Sequence, residues 1–280
     1  MPLVRLVIGY DGTDFRGSQL QPGARTVQGE LERAIGEIGG GDARLAFAGR
    51  TDRGVHAVGQ VASGRIRWRQ SANDLREALN SVTPPDLVVS SAELVEDDFH
   101  ARYSARWREY RYRIVEAPAP PALQRRFVWW RRGGISVDLA QQAAERFVGR
   151  HDFGSFVGLG KSKQLTAEEL RRTVTCSVWS SRLRDSPEYG GCARVHEYRI
   201  IAEGYLPQMV RTIVSATVDV AQGRRGLDWL DAALAQSDRS LIGEAAPPHG
   251  LTFWRVGYDE DITVASTVGA GHDEQMECWV

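Results

Sequence analysis

One short segment of the chain alternates bulky apolar residues with arginines. Tyr110, Tyr112 and Ile114 recur at every second position, which is the period of a β-strand whose successive side chains point to opposite faces of a sheet. Arg111 and Arg113 occupy the positions between them. The segment therefore predicts a strand with one apolar, aromatic face and one basic face, in a chain built around a sheet.

Strand and helix signals alternate along the rest of the chain. Apolar runs and turn residues predict strands at 3–10, 45–48, 173–180, 194–203 and 251–258. Apolar residues at helical spacing predict helices near 27–38, 139–147 and 208–222. A proline-rich stretch at 117–121 predicts a loop or linker. The fold class is therefore α+β, with largely antiparallel sheets flanked by helices.

Length and charge divide the chain into three expected parts. A chain of 280 residues makes one large domain or two ordinary ones, and its two halves share a rough order of strands and helices. We therefore expect two related subdomains, an N-terminal α+β subdomain over 1–112 and a C-terminal one over 113–258. Six acids and no Lys or Arg follow Arg255, so residues 259–280 are expected to form an acidic, disordered tail.

Composition excludes several classes of protein. Apolar residues make up 42% and charged residues 25% of the chain, which is ordinary for a globular protein. No apolar run approaches the roughly 18 residues of a membrane span, and no secretory signal pattern is visible. The three cysteines form no CxxC pair. We therefore expect a cytoplasmic protein with reduced thiols, no membrane association and no metal site.

Arginine dominates the basic residues and is concentrated in one stretch. Only two of the 35 Lys and Arg residues are lysines. Nine arginines against two acids fall in residues 102–132, here called the arginine field, although the whole chain carries a net charge of −1. Guanidinium groups bind phosphates and stack on bases, so the field favours a nucleic-acid partner. An Arg-rich coding bias on an ordinary surface is the alternative, and charge alone leaves it open.

The segment Gly49-Arg50-Thr51-Asp52-Arg53-Gly54 follows the predicted strand 45–48. Its glycines allow a tight turn and the close approach of a ligand, and they display Asp52 at the end of the strand. A carboxylate beside guanidinium groups stays ionised and can act as a nucleophile. The alternative is an Asx turn with a local Arg–Asp pair, which is the commoner meaning of an isolated Asp-x-Gly.

Two further residues are candidates for the same site. Tyr110 lies near the start of its predicted strand, where the ring can stack on a base and the hydroxyl can handle a proton. Arg211 is the only charged residue between positions 205 and 218. A buried, unpaired charge costs several kcal/mol, so this arginine needs a partner, and we expect Asp52 to be that partner. The alternative is an arginine whose side chain snorkels to solvent.

Taken together, these segments resemble the tRNA pseudouridine synthase A family. The resemblance runs from residue 3 to residue 258, and the motif around Asp52 is highly specific. Two positions depart from the family pattern, because Ser18 replaces a usual aromatic residue and Arg53 replaces a usual small one. The motifs that carry the resemblance are Tyr10-Asp11-Gly12-Thr13, Thr26-Val27-Gln28, Gly49-Arg50-Thr51-Asp52, Gly54-Val55-His56-Ala57, Phe99-His100-Ala101-Arg102, Tyr110-Arg111-Tyr112, His151-Asp152-Phe153, Met209-Val210-Arg211 and Gly250-Leu251.

The resemblance implies a pseudouridine synthase-like fold and the isomerisation of uridine to pseudouridine at positions 38 to 40 of the tRNA anticodon stem-loop. It implies a homodimer without a cofactor, with a nucleophilic aspartate at Asp52, an active-site tyrosine at Tyr110 and an active-site arginine at Arg211. The target base must leave its stack to expose the glycosidic bond, so base flipping is expected. The predicted RNA-contacting set is Arg50, Arg53, His56, Arg102, Arg106, Arg108 and Arg111.

Two alternatives come from other functional classes. A non-catalytic RNA-binding module would share the aromatic and basic strand but would not need Asp52 or Arg211. A metal-dependent hydrolase would need ligands, and the candidates are His56, His100, His151 and Asp152. Their spacing matches no recognised metal-ligand motif, so the sequence favours an isomerase over a metal-dependent hydrolase.

Overall fold

The computed structural model describes residues 1–158 and 165–258. It contains one large, mostly antiparallel sheet with helices packed on it, so the predicted α+β class is confirmed. The predicted acidic tail at 259–280 lies outside the described residues. Among the described helices, none combines the length and the apolar character that a membrane crossing would need.

The sheet and its helices are made of sixteen described elements. The strands are β1 (Leu3–Tyr10), β2 (Ala46–Phe47), β3 (His56–Arg65), β4 (Leu87–Leu94), β5 (Trp107–Glu116), β6 (Trp129–Arg131), β7 (Gly149–Asp152), β8 (Arg171–Ser186), β9 (Gly191–Ala202) and β10 (Leu251–Gly257). The α-helices are α1 (Val27–Glu37), α2 (Ala72–Val82), α3 (Val137–Glu145), α4 (Ala167–Leu170), α5 (Met209–Ala221) and α6 (Leu227–Gln236).

Most of the predicted elements are present, several with shifted ends. β1, β10, α1 and α5 match the predicted segments to within about one residue, and the side chain of Thr26 caps α1 by accepting from the Gly29 amide. β8 and β9 extend beyond the predicted segments because they pair with each other as one long hairpin. The predicted helix at 139–147 is α3, which ends at Glu145 and leaves Phe147 outside. Sequence periodicity did not reveal β3, β4, α2 or α6.

The sheet follows the order β4-β1-β3-β10-β5-β9-β8-β7. β10 comes last in the described chain, yet it lies in the middle of the sheet, parallel to β3 and antiparallel to β5. The expected subdomain boundary between 112 and 113 falls inside β5, which pairs with β9 on both sides of that point. One continuous sheet therefore joins 1–112 to 113–258, and the division into two subdomains stays a prediction.

One face of β5 lies in the main hydrophobic core. Tyr110, Tyr112 and Ile114 are buried there, together with Ile213 and Val214 of α5. α5 packs on α3, and α3 packs on β8, so helices cover this side of the C-terminal strands. The apolar, aromatic face predicted for β5 is confirmed.

The opposite face of β5 is charged, and the charged side chains at its centre are buried. The carboxylate of Glu109 is fully buried, and Arg111 is only 7% exposed. Glu109 accepts hydrogen bonds from Arg111 at 2.9 Å, Arg199 at 3.0 Å and Arg255 at 2.8 Å. Burial alone would raise the pKa of Glu109, but the guanidinium groups outweigh burial and hold it below its ordinary 4.5. The predicted basic face is thus an internal ion cluster.

We expect Glu109→Gln to lower the free energy of unfolding by about 3 to 5 kcal/mol, because the change removes the buried negative charge that three guanidinium groups share. The pKa of Glu109 is depressed in the folded state, so its stabilising effect is present above about pH 4.5 and is lost as the pH falls through the folded pKa. Urea unfolding at pH 7 measures the change.

Glu93→Gln is the matched control, because Glu93 forms an exposed pair with Arg5 at 3.6 Å. That substitution should change the free energy of unfolding by less than about 1 kcal/mol. A change at Glu109 no larger than the change at Glu93 would contradict the assignment of a stabilising buried cluster.

Candidate active site around Asp52

Asp52 lies in the loop between β2 and β3, and glycines shape this loop as the sequence predicted. Gly54 has a φ of +79°, a left-handed conformation that favours glycine. A Cβ atom at Gly49 would come within 2.8 Å of the Phe253 ring on β10. The buried side chain of Gln60 donates to the Gly49 carbonyl at 2.8 Å and accepts from the Gly49 amide at 3.3 Å. The loop is therefore fixed against the centre of the sheet.

Arg211 is the partner of Asp52, so the predicted pairing is confirmed. Nη1 of Arg211 donates to Oδ2 of Asp52 across 3.2 Å, although the two residues lie 159 positions apart. Nε of the same arginine donates to the carbonyl of Ala246 at 2.8 Å, which fixes the plane of the guanidinium. The Arg211 side chain is 14% exposed and the Asp52 side chain is 43% exposed. The site therefore presents a carboxylate to solvent and anchors it with a cation beneath.

Tyr110 lies on β5 with its ring buried between two other aromatic rings. The centroids of Tyr205 and Phe253 are each 5.0 Å from that of Tyr110, in edge-on contacts. Burial raises the pKa of the Tyr110 hydroxyl well above its ordinary value, and nearby Tyr10 and Asp52 raise it further. The phenol therefore keeps its proton at neutral pH and lies close enough to Asp52 to sense its charge.

Ser18 braces the Asp52 loop from the side of α1, a role that the sequence did not reveal. The side chain is 1% exposed, and its Oγ accepts a hydrogen bond from the Thr51 amide at 2.9 Å. The Ser18 amide donates in return to the Thr51 carbonyl at 3.1 Å. The Thr51 hydroxyl also bonds to Tyr10, whose pKa burial raises to about 12. The residue beside Asp52 is thus held through its amide, its carbonyl and its side chain.

His56 begins β3 and is buried, with 3% of its surface exposed. Its Nδ1 accepts from the Gly12 amide at 3.0 Å, and its Nε2 donates to the Arg126 carbonyl at 2.7 Å. Burial lowers the pKa of His56, so the ring is neutral near pH 7. Asp11 lies 3.2 Å from Nδ1, but that nitrogen accepts from Gly12 and forms no ion pair in the neutral ring. His56 therefore joins three segments of the fold.

The predicted RNA-contacting set divides into exposed and internal residues. Arg108 donates to the main-chain carbonyls of Ala48, Arg102 and Glu203, which ties three segments together. Arg111 lies in the Glu109 ion cluster, and His56 is internal as described above. The members that face solvent are Arg50, Arg53, Arg102 and Arg106. The fold therefore brings only part of the predicted set to the surface.

A cleft of about 530 Å³ opens beside the Asp52 loop. Burial lowers the pKa of His249 in its wall, so the positive charge of the cleft comes from arginines at neutral pH. Two of them, Arg125 and Arg126, belong to the arginine field but were not selected from the sequence, because their neighbours give no sign that they line a cleft with Arg53. The residues that line the cleft are Thr13, Arg53, Gly54, Arg125, Arg126, Pro248 and His249.

The candidates for a metal site have local structural roles. Nδ1 of His100 accepts from the amides of Arg102 and Tyr103, and a ring nitrogen of His151 bonds to the Val148 carbonyl at 2.9 Å. Asp152 accepts from the Gly154 amide at 2.7 Å. Within residues 1–158 and 165–258, no three His, Cys, Asp or Glu side chains are grouped as metal ligands would be.

Comparison with known proteins identifies the relatives of this chain. The sequence model of the family described as tRNA pseudouridine synthase matches residues 6–104 and 143–259. The tRNA pseudouridine synthase A of Geobacillus kaustophilus is 36% identical over 266 residues, which cover 95% of this chain and 98% of the relative. That of Brevibacillus brevis is 38% identical, with 92% and 100% covered. That of Chloroflexus aurantiacus is also 38% identical, with 92% and 89% covered.

We expect Ser18→Ala to loosen the Asp52 loop without unfolding the chain. The Thr51 amide loses its acceptor, so hydrogen exchange at this amide should accelerate by about tenfold, which equals roughly 1.4 kcal/mol of local stability. Ser90→Ala is the control, because the Ser90 hydroxyl donates to the Val7 carbonyl on an exposed surface at 3.1 Å. Exchange measured by NMR should be unchanged at Thr51 in the control. Equal exchange in both variants would show that Ser18 does not brace the loop.

Proposed function

The chain belongs to the tRNA pseudouridine synthase family, and from this premise we propose that it acts at positions 38 to 40 of the anticodon stem-loop, with Asp52 as the catalytic carboxylate. As a member of the family it is an isomerase that converts uridine in tRNA to pseudouridine. The observation that carries the proposal is the 3.2 Å pair of Asp52 and Arg211, which is open to solvent beside an arginine-lined cleft.

Asp52 has the environment that the reaction requires. The reaction breaks the bond between uracil N1 and ribose C1′, turns the base, joins C5 to C1′, removes the proton from C5 and leaves one proton on N1. Uridine and pseudouridine are isomers, so no oxidant or second substrate is needed. An anionic Asp52 serves each available route: attack at the sugar, attack at the base, or removal of a sugar proton. Arg211 supports all three routes because its hydrogen bond to the Asp52 carboxylate fixes the position of that group.

Tyr110 supports the flipped uracil as an aromatic surface and a hydrogen-bond donor. Its buried ring lies beside the Asp52 loop, and its raised pKa keeps the hydroxyl protonated at neutral pH. A protonated phenol donates a hydrogen bond but is a poor base. The environment of Tyr110 therefore favours holding the detached base over removing the proton from C5.

The exposed arginines bind the RNA backbone. Arg53 faces solvent next to Asp52 and lines the same cleft as Arg125 and Arg126. Guanidinium groups at the rim of a catalytic loop neutralise the phosphates on either side of a flipped nucleotide. Arg50, Arg102 and Arg106 extend the exposed basic surface. Arg111 and His56 are buried and Arg108 is bonded to main-chain carbonyls, so these three support the surface and are not part of the proposed contact set.

A homodimer completes the RNA-binding surface. A cleft of about 530 Å³ holds a ligand the size of one nucleotide, whereas an anticodon stem-loop is far larger. A second copy of the chain extends the basic surface, as it does in the family that the sequence resembles. Light scattering should therefore give about twice the chain mass of 31.1 kDa. Because tRNA is the substrate, we place the enzyme in the cytoplasm.

Asp52→Asn keeps the size of the side chain and removes its charge, so it should reduce pseudouridine formation by about a thousandfold or more. Affinity for unmodified tRNA should stay within about twofold, because binding depends on the arginines. Asp97→Asn is the matched control, since Asp97 is also an exposed carboxylate paired with an arginine, at 3.0 Å from Arg65. The assay contains EDTA. Wild-type rates from Asp52→Asn, free of contaminating enzyme and of deamidation, would end the assignment.

Arg53→Ala should weaken binding to every tRNA substrate to a similar degree, because a phosphate contact carries no sequence information. The slope of log affinity against log salt concentration should fall in magnitude by about one. Arg44→Ala is the control, because Arg44 is exposed but does not line the cleft. Binding measured between low and physiological salt gives the two slopes. An unchanged slope for Arg53→Ala would contradict the phosphate contact.

A further inference from the structure

The turn at residues 99–105 presents an aromatic side chain to solvent. Tyr103 is 77% exposed, and no other large apolar or aromatic side chain of the described residues is more exposed. Its ring lies 4.4 Å from the His100 ring, centroid to centroid, with 35° between the planes. The guanidinium of Arg102 lies 5.7 Å from the centre of the Tyr103 ring. Two rings and a cation therefore form one patch, which we call the Tyr103 platform.

The platform is held in shape by hydrogen bonds within its own turn. Nδ1 of His100 accepts from the amides of Arg102 at 3.1 Å and Tyr103 at 3.3 Å. The His100 amide donates to the Ser104 hydroxyl at 3.0 Å, and the Ser104 amide donates back to the His100 carbonyl at 2.9 Å. The position of the Tyr103 backbone is therefore set before any ligand binds, which lowers the entropy lost on binding.

The turn is also connected to the catalytic loop. Nη2 of Arg108 donates to the Arg102 carbonyl at 2.7 Å and to the Ala48 carbonyl at 3.1 Å. Ala48 immediately precedes the Gly49–Gly54 segment that carries Asp52. Ala101 is held from two sides, by the hydroxyls of Tyr258 at 2.8 Å and Ser63 at 3.0 Å. The platform therefore keeps a fixed position relative to Asp52.

We propose that the Tyr103 platform stacks on an unpaired nucleobase of the tRNA substrate, at a position other than the uridine that reacts. The proposal rests on the proposed function in tRNA. The exposed ring contributes nothing to the core, whereas an aromatic face beside a guanidinium is the surface on which splayed bases stack. Exposed Arg102 and Arg106 supply charge for the phosphates next to that base. The base is unpaired, because pairing and stacking within a helix leave no free face.

Replacement of Tyr103 tests the platform without disturbing the fold. Tyr103→Ala should raise the Kd for tRNA by about tenfold, while the single-turnover rate at saturating enzyme stays within about twofold of wild type. Tyr103→Phe keeps the ring and should bind like wild type. Leu94→Ala removes another exposed apolar side chain, 61% exposed on β4, and should leave the Kd unchanged. Melting temperatures within a few degrees of wild type confirm that all three variants are folded.

Photochemical crosslinking identifies the stacked base. tRNA transcripts with 5-iodouridine at single unpaired positions are irradiated in complex with Asp52→Asn protein, and the crosslinked peptide is identified by mass spectrometry. We expect a crosslink at Tyr103 from a position that the enzyme does not modify. An unchanged Kd for Tyr103→Ala, or crosslinks that never involve residues 99–105, would overturn the platform. Failure of the wild-type enzyme to form pseudouridine would instead overturn the proposed function, so the two failures are distinguishable.

Discussion

The site depends on the insertion of β10 between β3 and β5. The Phe253 residue of β10 lies opposite Tyr110 on β5 and opposite Ala57 on β3. Its ring contacts Tyr110 and leaves no space for a side chain at Gly49, where the Asp52 loop begins. The last described strand thus brings together a loop from the first half of the chain and a tyrosine from its middle. Because neither half contains all of these groups, the site exists only in the complete sheet.

The structure contains two arginine–carboxylate arrangements, and they differ in how deeply the carboxylate is buried. Glu109 is fully buried and is bonded to several guanidinium groups, so its charge is neutralised inside the protein. Asp52 pairs with Arg211 and keeps 43% of its side chain exposed. The same chemistry therefore stabilises the fold in one place and presents a carboxylate to solvent in the other. Both carboxylates have arginine partners, so the exposure of the carboxylate is what distinguishes Asp52 from Glu109.

The arginines of the chain follow the same division. Arg108 donates to main-chain carbonyls and fixes the turn at 99–105. Arg111 pairs with the carboxylate of Glu109 at the centre of β5. Arg53, Arg102 and Arg106 remain at the surface. Arg108 and Arg111 thus support the surface on which the exposed guanidinium groups and the Tyr103 ring lie. A count of arginines in the sequence favours a phosphate-rich partner but does not identify the contact residues.

Local pattern was enough for some of these conclusions. The period of two around Tyr110 and the glycines around Asp52 depend on residues that are close in sequence, so the sequence by itself determined the strand and the tight loop that carries Asp52. The lone charge of Arg211 in an apolar helix also pointed to Asp52, because a buried cation needs an anion. Tertiary structure alone decided the strand order, the burial of Arg111 and His56, the carbonyl contacts of Arg108, the brace formed by Ser18, and the cleft. These features depend on contacts between residues far apart in the chain. Such contacts determine which side chains are buried and which groups share a hydrogen bond, and local sequence pattern does not contain them.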